Sequence, residues 1–263
     1  MRRAIGATAA LLRREIVRFL RERNRVFGAL VQPIFFWAIF GAGLGASFRP
    51  PGGGEFGYGA YLFPGTVVMI LLFTAIFSTI SLIEDRREGF LQGVLVAPIP
   101  RSSLVLGKVL GGTVLALMQG GLVMLCAPFL GFRLGLINTL ACAIVLSIVA
   151  FSLTALSFCI AWRMDSTQGF HAVMMVLLLP LWLLSGAFFP AEGAPVWLAI
   201  IMRIDPLTYG LAAFRHALAL GAEVPPAGLP PFGPSIAVTI LFAAVSFAAA
   251  VILARRRAAG AGT

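Results

Sequence analysis

Glu84-Asp85-Arg86-Arg87-Glu88-Gly89-Phe90-Leu91-Gln92-Gly93-Val94-Leu95-Val96-Ala97-Pro98-Ile99-Pro100-Arg101 is the densest mixed-charge stretch of this chain, and long apolar runs flank it on both sides. Residues 60–83 precede it and residues 106–130 follow it. Each run is long enough to cross the hydrocarbon core of a bilayer as a helix. Four more runs of similar character occupy residues 26–48, 136–162, 170–189 and 235–254. The pattern predicts an all-α polytopic membrane protein with six transmembrane helices and one structured polar segment, residues 84–105, between the second and third.

Composition supports that reading. The chain is 60% hydrophobic and 11% charged, with a mean hydropathy of +0.98. A soluble domain carries about 25% charged residues, so the spans use up most of the 263 residues and leave no room for a folded water-soluble domain. The net charge of +10 does not point to nucleic acid, because the bases sit beside apolar runs as topology signals do. Of the 20 bases, only Lys108 is a lysine. Cys126, Cys142 and Cys159 are widely spaced inside apolar runs; they read as small buried hydrophobes and not as metal ligands or disulfides.

Residues 1–25 hold eight arginines. Ile5, Ala9, Leu12, Ile16, Phe19 and Leu20 fall at helical spacing, beside a stripe of Arg14, Arg18, Arg21 and Arg25. An apolar stripe next to a basic one predicts a helix lying in the headgroup layer, in contact with membrane lipids. The following run starts too late and is too long for a cleaved signal peptide. Residues 26–263 then form a single transmembrane domain. Gly41 and Gly45 in the first span, and Gly112, Ala116 and Gly120 in the third, have the small-residue spacing of close helix contacts.

Residues 190–233 break the pattern. Pro195 to Met202 is apolar but too short to cross, and Arg203-Ile204-Asp205-Pro206 stops it. Leu207 to Gly221, with Arg215 and His216, is a second short piece. Together they predict a broken, re-entrant-like hairpin before the last span, with polar groups facing protein or water. Pro180 is expected to interrupt the fifth span. With the N-terminus inside, the inner segments hold sixteen bases and the outer ones four, Arg49, Arg133, Arg203 and Arg215. Both termini and residues 84–105 are therefore expected on the cytoplasmic side.

Catalytic chemistry finds no support. Gly107-Lys108 is the nearest approach to a P-loop, and it lacks the first Gly and the Ser or Thr. Leu183-Leu184-Ser185-Gly186 lacks the first Gly of a serine-protease arrangement, and His171 and His216 lie far apart in sequence. No catalytic or metal-binding residue is assigned. All ten acids map to loops, helix ends or the hairpin, which disfavours the alternative of an ion- or proton-coupled secondary transporter. Energy for transport would then have to come from a partner, and the segment 84–98 offers a docking surface for one. Its five charges at Glu84 to Glu88, then Phe90, Leu91, Val94 and Leu95 on one face, and Pro98 and Pro100 as stops, describe a short amphipathic helix with a charged start.

These residues carry a resemblance. Arg87-Glu88-Gly89-Phe90-Leu91-Gln92 through Leu95 to Pro98, then Leu106-Gly107-Lys108, resembles the cytoplasmic coupling segment of the ABC type-2 exporter permeases, which export drugs, polysaccharides and lipo-oligosaccharides. Asp205-Pro206-Leu207-Thr208-Tyr209 with Arg215 is similar to the family's outer-hairpin pattern, to which Arg203 is adjacent. Phe90 and Gln92 stand where Thr and Glu are common. The resemblance covers essentially the whole chain. It implies a permease subunit in the bacterial cytoplasmic (inner) membrane, paired with a second copy as a homodimer and docked on a separate cytoplasmic ABC ATPase. ATP and Mg would be bound by that ATPase and no cofactor by this chain, which would export an amphipathic drug or a lipid- or sugar-linked product. Glu84, Asp85, Arg87, Glu88, Gly89, Leu91, Leu95 and Pro98, with Arg14 and Arg18 of the N-terminal helix, are the residues the resemblance places at the coupling surface.

Overall fold

The computed structural model describes residues 2–44, 57–191, 194–220 and 228–259. Among them there is no strand. Ten α-helices follow one another: α1 Arg2–Arg21, α2 Arg23–Gly43, α3 Tyr58–Arg87, α4 Phe90–Val96, α5 Arg101–Met124, α6 Leu136–Ala161, α7 Thr167–Trp182, α8 Val196–Ile204, α9 Pro206–Leu218 and α10 Phe232–Ala259. Six of them, α2, α3, α5, α6, α7 with its short extension to Ala187, and α10, are long and apolar enough to cross a membrane. The chain is a multi-pass helical membrane protein.

The bundle is built around α3. Its residues from Leu62 to Ile83 are almost entirely enclosed by α2, α5, α6 and α7. In lipid there is little hydrophobic gain from joining two apolar helices, so close packing through small residues does the work. Gly41 of α2 approaches Gly59 of α3: a Cβ on Gly41 would lie 3.3 Å from the Gly59 Cα. Trp37 Nε1 donates to the Gly59 carbonyl at the same crossing, at 2.8 Å. On α5, a Cβ at Gly112 would come within 2.6 Å of Ser78 Oγ and Thr154 Cγ2, and one at Gly120 within 2.6 Å of Leu71 Cδ1. Ala116 between them is buried. Gly45 lies outside the described residues, as do residues 49–56 of the first loop and 225–227 of the Pro-rich one.

Three sequence expectations are corrected. The charged residues Glu84 to Arg87 do not start the short helix; they form the last turn of α3, which runs to Arg87. The chain then turns at Gly89, whose φ of +78° needs a residue without a Cβ, and α4 begins afresh at Phe90 with no charge in its sequence. Pro180 does not interrupt the fifth span either. Helix α7 continues through it to Trp182, and the break comes at Gly186, where φ is +81°. The N-terminal helix ends at Arg21, and α2 takes over at Arg23 after a bend at Glu22.

Helices α8 and α9 meet at an angle of 80°. Asp205 makes the corner by capping α9: its Oδ1 accepts from Leu207 N–H at 2.8 Å, and Pro206 occupies the first helical position.

Candidate functional site

Where α1 crosses the ends of α3 and α5, the bundle holds a knot of buried charge. Gly107 and Gly111 of α5 form the groove in which α1 lies. A Cβ on Gly107 would stand 2.8 Å from the Leu11 Cβ, and one on Gly111 would stand 2.8 Å from the Glu15 Cβ. That approach pushes Glu15 inward, to 4% exposure, against Lys108 one residue after the first glycine. Lys108 Nζ donates to Glu15 Oε1 at 2.6 Å, to Asp85 Oδ2, and to Ser81 Oγ at 3.2 Å. Ser81 in turn donates to the other Glu15 oxygen.

Asp85, fully buried, is the centre. Arg14 grips it with both terminal nitrogens, at 2.9 and 2.6 Å, and Arg18 reaches Oδ1 at 2.6 Å. Arg18 also donates to Glu84 at 2.9 Å, and Arg25 pairs with both Glu84 and Glu22. The bond to Asp85, aided by the charges of Asp85, Glu15 and Glu88, raises the already high pKa of Arg14 in spite of its burial. Arg14 is thus a fixed cation. Its guanidinium lies 3.8 Å above the Phe90 ring, which ties α4 into the same knot.

The other half of α3's last turn reaches across to the α6–α7 turn. Arg86 donates to the carbonyls of Trp162 (2.6 Å) and Met164 (2.9 Å) and to the Asp165 carboxylate (2.9 Å), and Arg87 Nε donates to the Asp165 carbonyl. These carbonyls at the end of α6 would otherwise lack donors. Arg101 caps α4 in the same manner, donating to the Leu95 carbonyl at 2.6 Å. One end of the bundle, from α1 through α3 to α6, is therefore joined by charge-assisted bonds into a single body.

Helix α4 hangs from that body. Leu91 is buried and Val94 and Leu95 are packed against the core, so the apolar face points inward. Gln92, Gly93, Val96 and Pro98 are exposed, as are Arg87 and Glu88 of the preceding turn. The surface that α4 presents to water is therefore mixed: Phe90 and Val96 are apolar and exposed beside Gln92, and the charges next to it are those of Arg87 and Glu88.

At the opposite end, Gly186 bares the last carbonyls of the broken α7. Arg215 Nη2 and Tyr61 Oη both donate to the Gly186 carbonyl, at 3.0 and 3.1 Å, and Tyr58 Oη donates to the Phe188 carbonyl at 2.8 Å. Tyr209 Oη donates to the Arg203 carbonyl at 2.9 Å, while the Arg203 side chain is exposed. Burial outweighs the bond from Leu207 N–H and pushes the Asp205 carboxyl up to about 7.

The sequence model of the ABC-2 type transporter family matches residues 6–219. The chain belongs to the ABC-2 type transporter family. Relatives agree with it. This ABC-2 chain is 30% identical over 207 residues to the putative transport permease ycf38 of Cyanophora paradoxa, covering 78% of this chain and 71% of that one. It is 25% identical over 254 residues to the probable doxorubicin resistance ABC transporter permease protein DrrC of Mycobacterium tuberculosis, covering 95% and 87%. It is 29% identical over 159 residues to the probable multidrug ABC transporter permease YbhR of Escherichia coli, covering 58% and 42%.

In this ABC-2 permease, several residues that sequence reasoning placed at a partner surface lie elsewhere. Asp85 has no surface to offer a partner, and Leu91 has almost none. Arg14, Arg18 and Glu84 spend their hydrogen bonds on one another and on Asp85. Arg87, Glu88 and Pro98 remain exposed, and Leu95 is half-buried. Sequence reasoning gave Glu15 no site role and named Lys108 only within the Leu106-Gly107-Lys108 string, without its buried partners. The signal was present: Lys108 is the chain's one lysine and stands inside an apolar run, a costly place for an unpaired charge.

Proposed function

We propose that this ABC-2 permease is the membrane subunit of an exporter and receives the work of ATP hydrolysis at its charged end from a separate cytoplasmic ABC ATPase. One observation carries this reading. The exposed face of α4 hangs from a knot that binds α1, α3 and α5 by Arg14, Arg18, Asp85 and Lys108. A push on α4 or α1 then reaches the central helix as a rigid-body displacement and is not absorbed by a loose loop. The sixteen bases on the charged side favour placing that end, and both termini, in the cytoplasm.

ATP and Mg belong to the partner in this reading. Two copies of the permease, as a homodimer, would enclose the path for the exported molecule in a bacterial cytoplasmic membrane. The names of the relatives DrrC and YbhR, and of the daunorubicin resistance permease DrrB1 of Streptomyces coeruleorubidus, support an amphipathic drug as the substrate, with a lipid- or sugar-linked product as the wider class. The buried Lys108–Glu15–Asp85 cluster does not favour an ion-coupled carrier, since it lies at one end of the bundle and its carboxylates are held by Arg14 and Arg18 as well.

Co-expression with a candidate ABC ATPase, purification of the complex and reconstitution into vesicles test the reading. The expected result is a stable complex whose ATPase rate rises with an amphipathic aromatic drug. Glu88→Lys, on the exposed turn, should lower that rate without reducing the amount of permease in the membrane. A permease that never co-purifies with an ABC ATPase would overturn it.

A further inference from the structure

Behind the α8–α9 hairpin lies a cavity of about 620 Å³ with chemistry unlike the rest of the bundle. Its wall is apolar at Met202, Leu211 and Leu229, and two guanidinium groups, Arg203 and Arg215, reach it together with Tyr61 and Tyr209. Among the described residues, no carboxylate lines it. Among the described residues, neither Arg203 nor Arg215 makes an ion pair. Every carboxylate-pairing arginine of the described residues lies at the charged end, so these two cations are set apart.

Arg215 is held for presentation. Its Nη2 is anchored on the Gly186 and Tyr61 carbonyls, at 3.0 and 3.3 Å, and its plane lies 4.3 Å from the Tyr61 ring centroid. The two acceptors use one nitrogen of a group that carries five N–H donors in a fork matched to carboxylate and phosphate. The helix break at Gly186 makes this possible, because it leaves the carbonyl that fixes the fork. A half-buried cation fixed by neutral acceptors beside apolar side chains has lost part of its water and keeps donors free for an anion.

We propose that this cavity binds the head of an oxyanion-bearing amphiphile, a phosphate or carboxylate group on an apolar tail, with Arg215 and Arg203 on the head and Met202, Leu211 and Leu229 on the tail. The occupant is either an anionic bilayer lipid or an exported molecule of the same chemistry. A role in export rests on the permease reading above; occupancy of the cavity does not.

Dodecyl phosphate binding to the full chain in nanodiscs of phosphatidylcholine alone is the test, with dodecyltrimethylammonium and inorganic phosphate as comparison probes. Saturable binding of dodecyl phosphate is expected, and Arg203→Gln with Arg215→Gln should weaken it about tenfold or more, the loss of one or two charge-assisted bonds. Arg215→Lys, which keeps the cation, should weaken it less. Arg133→Gln, which removes an exposed base outside the cavity, should leave it unchanged. If the double variant fails to fold, Arg203→Gln alone still gives a several-fold loss, because the Arg203 side chain is exposed and donates no bond among the described residues that the fold would lose. Nanodiscs containing phosphatidylglycerol separate the sources: competition assigns the cavity to a bilayer lipid, and undiminished binding assigns it to a solute. Equal binding of dodecyltrimethylammonium, or dodecyl phosphate binding indifferent to both arginines, overturns the proposal. The readout needs no ATPase, so failure here leaves the exporter reading standing, and failure to find a partner ATPase leaves the cavity's occupant testable.

Discussion

Replacing Lys108 by Met would leave Glu15 and Asp85 buried with one cation fewer. Removing one partner of a buried pair costs about 3–5 kcal/mol, because the charge left behind has already lost its water. Asp85 keeps Arg14 and Arg18, so the deficit falls chiefly on Glu15. Lys108→Met should therefore unfold about 3 kcal/mol more readily in detergent, and Glu15→Gln added to it should restore much of the loss. Chemical unfolding of the single and double variants checks this; a double variant worse than the single one would contradict it. Asp205 gives a prediction of the opposite sign. Its carboxyl rises from 3.8 to about 7 on folding, so the folded state binds the proton more tightly. Stability is then fully present at low pH and declines as pH rises between 3.8 and about 7. At about 1.4 kcal/mol per pKa unit the penalty above that window is on the order of 4 kcal/mol. Asp205→Asn keeps the cap oxygen and removes the charge. Melting curves at pH 5 and pH 8 should show it more stable than the parent at pH 8, with the difference shrinking at pH 5. At this scale the sequence revealed charge but not its direction. Glu15 and Glu22 look alike as acids on a basic helix, yet only Glu15 of the two is buried against Lys108, because Gly111 lets its backbone close on α5, while Glu22 stays at the partly exposed rim with Arg18 and Arg25.

Helix α5 shows how one element serves two neighbours. Gly112 and Gly120 face α3 and α6, whereas Gly107 and Gly111 face α1. The first set was legible from its i, i+4, i+8 spacing with Ala116; the second was hidden because its partner is a helix that reads as lying on a membrane. Gly107→Val should drive α1 away from its groove at a cost of about 1–3 kcal/mol, seen as faster amide exchange in α1. Gly121→Ala, which meets no atom within 4 Å on the same helix, should change nothing. Helix α4 was legible as a short amphipathic piece and its charged start was not, because a period of 3.6 continues smoothly from Ile83 to Arg87 and only the positive φ of Gly89 marks the turn. Gly89→Pro cannot adopt that φ, since Pro is held near −65°. It should leave the six spans inserted while abolishing drug-stimulated ATPase activity. Unaltered stimulation would show that the α3–α4 turn takes no part in coupling.

For the whole molecule, six apolar runs with one bent pair were readable, because bilayer thickness sets the length of each span. The burial order was not readable: α3 and α10 are comparably apolar, yet α3 is enclosed and α10 lies at the edge. Hydropathy measures what a helix tolerates, and neighbours decide what it touches. The division of the molecule into a charge-knotted end and an arginine-lined hairpin end follows from side-chain pairings that no spacing encodes. In the exporter proposed above, α4 is where an ABC ATPase engages. Cysteine cross-linking can locate that contact. In a chain lacking Cys126, Cys142 and Cys159, single cysteines at the exposed positions Gln92 and Val96 of α4, and at exposed Trp197 of α8, would be linked to the co-purified ATPase. Links are expected from Gln92→Cys and Val96→Cys and none from Trp197→Cys. A link from Trp197→Cys, or none from α4 in an intact complex, would contradict it.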